Sequence, residues 1–96
     1  MIININLKKN NMIVDCKIVM TNIKVKELTG RESILFMPFS FDISMITAYR
    51  QSVDDNGEAE DYTVIYTEYG DTYCIDITYG EFNYMYKKYI DDNKTI

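Results

Sequence analysis

Asp54-Asp55-Asn56-Gly57-Glu58-Ala59-Glu60-Asp61 holds five carboxylates in eight residues, the densest set of oxygen ligands and acid–base groups in the chain. Calcium is the first chemistry to consider. An EF-hand loop needs glycine at its sixth position and a bidentate glutamate at its twelfth. With Gly57 sixth, Thr63 falls twelfth, and the pattern fails. The stretch reads instead as a solvated hairpin tip, with weak cation binding or contact to a basic partner as alternatives. Catalysis finds little else. The chain has no histidine, which removes Ser–His and Cys–His arrangements. Two isolated cysteines, Cys16 and Cys74, cannot make a tetrahedral zinc site and read as free buried thiols. Asp76 is a lone carboxylate in a strand-like run, expected to face solvent or a neighbouring lysine. Gly57, Gly70 and Gly80 lack phosphate-cradling spacing. The expectation is a protein without catalytic residues, cofactor or metal.

The elements that position these groups follow from periodicity. Ile3, Ile5 and Leu7 alternate with asparagines, and Met12, Val14, Cys16, Ile18 and Met20 alternate again. With Asn10-Asn11 as the loop, residues 2–20 form a hairpin that pairs Leu7 with Val14, Ile5 with Cys16 and Ile3 with Ile18. A second hairpin is expected over 62–78, with Gly70-Asp71 as a two-residue loop. Val64 then faces Ile77, Tyr66 faces Ile75 and Glu68 faces Tyr73. Thr78-Tyr79-Gly80-Glu81 has capping-box form. Phe82, Met85, Tyr86, Tyr89 and Ile90 then recur as one helical stripe, so a helix is expected over 79–90 with Lys87 and Lys88 in its last turn. Central strands are expected within 23–53. They comprise Ile23–Glu27 by alternation, Ser33–Met37 ended by Pro38, and about 44–53, where a short helix is the alternative.

Ninety-six residues with 47% apolar and 26% charged content describe a single globular domain. Neither a signal peptide nor a membrane-spanning run is legible, so a cytoplasmic protein is expected. Residues 1–41 carry six basic and three acidic side chains, and residues 42–96 four basic and twelve acidic ones. An acidic second half argues against direct nucleic-acid binding and fits a basic protein partner. Eight of the nine tyrosines lie between 62 and 89. The predicted hairpin and helix turn Tyr66, Tyr73, Tyr86 and Tyr89 inward as core. Tyr69, Tyr84 and also Tyr49 remain as interface candidates.

The segments IKVKELTG, SILFMPFSFDISMI, YTVIYTEYGDTYCIDIT and GEFNYMYKKYI, spanning residues 23–90, resemble the small flagellar FlbD-type proteins. That resemblance implies strand, glycine turn, strands, a strand–glycine–strand hairpin and a short helix. The N-terminal hairpin and acidic loop depart from it, and no flagellar role is carried over. In style the chain also looks like small acidic accessory proteins of phages and mobile elements, anti-CRISPR and other anti-defence inhibitors among them.

The reading is an α+β domain: an antiparallel sheet of five to six strands, two β-hairpins, and a C-terminal amphipathic helix on one face. The expected function is non-enzymatic protein binding, as in an acidic inhibitor of a nucleic-acid-binding host protein. Asp54, Asp55, Glu58, Glu60, Asp61, Tyr69 and Tyr84 are its expected contact residues. A homo-oligomerising structural protein and a small-ligand (nucleotide) binder are the alternatives.

Overall fold

A computed structural model describes residues 12–21, 23–31 and 33–93. In chain order the elements are β1 (Ile13–Thr21), α1 (Ile23–Thr29), β2 (Ile34–Asp42), a 3-10 turn (Ile43–Met45), β3 (Ile46–Val53), β4 (Ala59–Thr67), β5 (Thr72–Ile75) and α2 (Tyr79–Asn93). The strands make one antiparallel sheet in the order β2-β1-β5-β4-β3. Helix α2 packs on one face. This is the expected α+β architecture, with hairpins at β3–β4 and β4–β5. Of the hairpin predicted over 2–20, the second strand is β1. Its first strand and loop lie outside the described residues.

The core forms where alternate strand residues meet the helix stripe. Val14, Phe41, Ile43, Ile46, Ile65, Ile75, Phe82 and Tyr89 are buried in one cluster, with Cys16, Phe39, Tyr49, Tyr73, Met85 and Tyr86 packed around it. Phe82 is fully buried. Its ring meets Tyr49 edge-on at 4.9 Å and Phe41 at 6.2 Å. Tyr49 also packs against Tyr79 and Tyr86 and donates its hydroxyl proton to Asn83 Oδ1 at 2.7 Å. Tyr49 is therefore a core ring with a satisfied polar end, not a contact residue. Thr63 is buried without penalty because its hydroxyl donates to the Ile77 carbonyl at 2.7 Å.

Four sequence expectations are corrected. The hairpin register differs: Thr63 faces Ile75, Val64 faces Cys74, Ile65 faces Tyr73 and Tyr66 faces Thr72. The loop is a three-residue turn, 68–70, in which Gly70 sits at φ +87° and its N–H reaches the Thr67 carbonyl at 3.0 Å. This odd shift turns Thr63 and Ile65 to the helix and sends Val64 and Tyr66 to the opposite face. There Tyr66 accepts a bond from Arg50 Nε at 2.8 Å.

Second, the alternating run at 23–27 belongs to the helix α1, in which Val25 and Leu28 stand at the helical i, i+3 spacing. Gly30, at φ +72°, closes it with an N–H bond to Lys26 O at 2.8 Å. Third, α2 continues to Asn93, whose side-chain amide donates to Tyr89 O at 2.8 Å. Lys87 and Lys88 consequently stand before the last turn, which contains no basic residue. The N-cap of the expected box forms, with Glu81 N–H bonded to Thr78 Oγ1, and Glu81 Oε1 accepts from the threonine hydroxyl. Fourth, β2 runs through Pro38. Ile43 N–H donates to Met12 O at 2.9 Å, which sets the ladder parity between β1 and β2. Pro38 then falls at a non-hydrogen-bonded pair, and its missing N–H faces the outer edge of the sheet, where proline is tolerated. The strand expected at about 44–53 is present as β3, entered through the 3-10 turn that Asp42 caps at Ser44 N–H.

Replacing Phe82 with alanine is expected to remove about 3–5 kcal/mol of stability. The exposed Tyr84→Ala change should stay within about 0.5 kcal/mol. Urea unfolding followed by circular dichroism checks both, and equal losses would refute this placement of α2.

Candidate functional site

The acidic stretch is better ordered than its composition suggests. Asp54 Oδ1 accepts from the N–H groups of Asn56 (2.8 Å) and Glu58 (2.9 Å). Its backbone N–H donates to Glu58 O, and Gly57, at φ +81°, donates to Asp54 O at 3.0 Å. The loop is thus a three-residue turn, 55–57, and β4 begins at Ala59. The turn at the other end of β4 uses the same device. There Thr67 Oγ1 accepts from Tyr69 and Asp71 N–H, and Gly70 takes the left-handed position. In each case a short polar side chain at the entry to the turn, Asp54 just after β3 and Thr67 at the end of β4, satisfies the turn's donors, and glycine supplies the positive φ.

The five carboxylates therefore divide. Asp54 holds the turn. Glu60 is half-buried and accepts the Ser52 hydroxyl at 2.7 Å. Asp55, Glu58 and Asp61 are exposed around the tip. Tyr69 is exposed on the 68–70 turn, at the opposite end of β4, and Tyr84 is exposed on the outer face of α2 beside Lys87, Lys88, Asp91 and Asp92. The predicted contact residues are not one constellation: only the tip residues are together. Asp76 also has a defined task. Just beyond β5, its Oδ1 accepts the Lys17 backbone N–H at 2.9 Å, while its own N–H reaches Lys17 O. It meets the lysine's backbone, not its ammonium.

Two further surfaces escaped sequence reasoning. On the face away from α2 lies a groove of about 620 Å³, lined by Thr21, Lys26, Asp54, Glu60, Tyr62 and Cys74 among others. At the end of the β1–α1–β2 unit, Met20, Leu28, Ile34, Leu35, Phe36 and Met37 are all 42–82% exposed. A monomer seldom gathers so many large apolar side chains in the open without using them. The signal was available in the apolar run ending at Pro38, since a proline inside a strand marks an edge.

Neither thiol is poised for reaction. Burial, then the charges of Asp76 and Asp15, push Cys16 from 9.0 up to about 11. Burial also raises Cys74. Both are free, and strand alternation puts them on opposite faces of the sheet. Among the described residues no three His, Cys, Asp or Glu side chains gather where they could hold a metal ion. Among them, too, no helix is long and apolar enough to cross a membrane. Comparison with family models, curated proteins and solved structures finds no match.

The Cys16 shift carries a sign. The unfolded chain loses this thiol proton near 9.0, the folded chain near 11. Stability from the neutral thiol is complete below pH 9 and declines as pH rises to about 11. Urea midpoints should therefore fall over that interval, and less so in Cys16→Ala. Native alkylation at pH 8.5 should be slower than in urea; equal rates would contradict the burial.

Proposed function

We propose that this protein is a non-enzymatic protein-binding module whose acidic tip engages a basic surface. The concrete case is a phage- or mobile-element-encoded inhibitor that occupies the nucleic-acid site of a host protein. One observation carries the reading. Asp55 and Glu58 are displayed on and beside a turn hydrogen-bonded by the Asp54 carboxylate and shaped by Gly57, and Asp61 is exposed near the start of β4. A preformed array of carboxylates loses little entropy on docking, and it attracts lysine and arginine as a phosphate backbone does. The nucleotide-binding alternative is weaker, because among the described lining residues the carboxylates Asp54, Asp55 and Glu60 outnumber the cation Lys26 and would repel phosphate.

The test uses the triple variant Asp55→Asn, Glu58→Gln, Asp61→Asn, which leaves the turn-holding Asp54 and the half-buried Glu60 in place. Pull-down from host lysate, with mass spectrometry and titration of the captured protein, should show binding that weakens steeply with salt. The triple variant should bind at least tenfold more weakly at unchanged melting temperature. Capture that ignores both salt and the three substitutions would refute the electrostatic mode.

A further inference from the structure

The backbone of β2 states how its outer edge can be used. Val14–Phe41, Cys16–Phe39, Ile18–Met37 and Met20–Leu35 are paired across β1 and β2. They share the parity of the Met12–Ile43 bond, so they are the hydrogen-bonded pairs of that ladder. Ile34, Phe36, Pro38 and Ser40 consequently turn their backbone groups outward. Pro38 offers no N–H there, which interrupts any long ladder. What remains is a short edge centred on Leu35, with outward-facing Ile34 and Phe36 on either side. Ile34, Leu35, Phe36 and Met37 are each 42–48% exposed, so both faces of this segment are apolar.

We propose that this edge pairs antiparallel with the same edge of a second copy, about a twofold axis at Leu35. That register sets Ile34 of one copy opposite Phe36 of the other, twice over, and each pair exchanges reciprocal backbone bonds. Pro38 then lies outside the bonded stretch. The two five-stranded sheets become one continuous sheet, and apolar side chains meet apolar side chains on both faces, as an isologous contact requires.

Charge also favours a second copy. The Asp42 end of β2 in one protomer runs past the α1 end of the other, bringing Asp15 and Asp42 toward the exposed cations Lys24 and Arg31. The six exposed apolar side chains of this region supply on the order of 600 Å² per copy, close to the roughly 800 Å² per partner of a standard interface once a polar rim is added.

Sedimentation velocity from micromolar to submillimolar protein should show a reversible dimer. Leu35→Lys should weaken self-association at least tenfold with circular dichroism unchanged, and the acidic-tip triple variant should dimerise normally. Register is read separately in a Cys16→Ala, Cys74→Ala background. Leu35 faces its own copy at a non-hydrogen-bonded position, where Cα atoms lie about 4.5 Å apart, within disulfide range. Leu35→Cys should form a covalent dimer on mild oxidation, and Met37→Cys, offset from its symmetry mate, should not. The cysteine pair decides the matter should the lysine variant fail to fold. A monomer at every concentration would mean that another strand covers this edge, and would overturn the proposal. Equal cross-linking at 35 and 37 would overturn it too.

Discussion

Burial of the Phe82 ring between the sheet and α2 is the contact on which the other features depend. Phe82 reaches Phe41 on β2 and Tyr49 on β3, which lie at opposite edges of the sheet. One side chain thereby joins the two ends of the strand order through the helix. Tyr49 adds a second tie through Asn83, and the Tyr86 hydroxyl donates to Ile46 O at 3.4 Å. Much of the tyrosine density serves this layer, because a chain of this length has little apolar volume to spare and large rings fill it. Of the rings outside the layer, Tyr62 and Tyr66 lie on the opposite face of the sheet, against Phe36 and Arg50, and Tyr69 and Tyr84 are exposed on two other surfaces.

The sheet's polar construction is concentrated at the ends of β4. Two turns with the same hydrogen-bond scheme bracket this strand, one capped by Asp54 and the other by Thr67. Their shared geometry explains why an acidic segment that looks like loose solvated loop is a compact tip. It also separates carboxylates that maintain the fold from those available to a partner, a distinction that composition hides. The charge asymmetry of the chain acquires locations as well: exposed anions at the β3–β4 tip, and cations with exposed apolar residues at the β1–α1–β2 end. The two meet across the groove that Thr21, Lys26 and Ile34 line on one side and Asp54, Asp55 and Glu60 on the other.

Much of the architecture was legible locally. Alternation marked β1, β4 and β5, the 3.6-residue stripe marked α2, and Thr78 with Glu81 marked its start, because each signal is complete within a few neighbouring residues. The 23–27 segment was misread because five residues are too few for a period to decide: Ile23 and Val25 alternate as in a strand, while Val25 and Leu28 keep the i, i+3 spacing of a helix. Lys87 and Lys88 were placed in a last turn only because nothing before Asn93 announces the helix end. Of the predicted site, the tip residues proved to be neighbours, but which carboxylates are free depends on bonds to Asn56, Glu58 and Ser52.

The sequence by itself determined that this is a small α+β domain, where its main sheet strands and long helix lie, and that its second half is acidic. Tertiary structure alone decided the register of β4 on β5. Both faces of β4 are apolar enough to pack, so alternation could not choose, and the three-residue turn with α2 lying on Ile65 and Ile75 did. It also fixed the order that puts β2 at an edge of the described sheet, which Pro38 signalled without naming the neighbour. Strand order is a property of pairings between residues far apart in the chain, which no local pattern encodes. That order is what leaves Ile34–Met37 in the open and the acidic tip at the far edge.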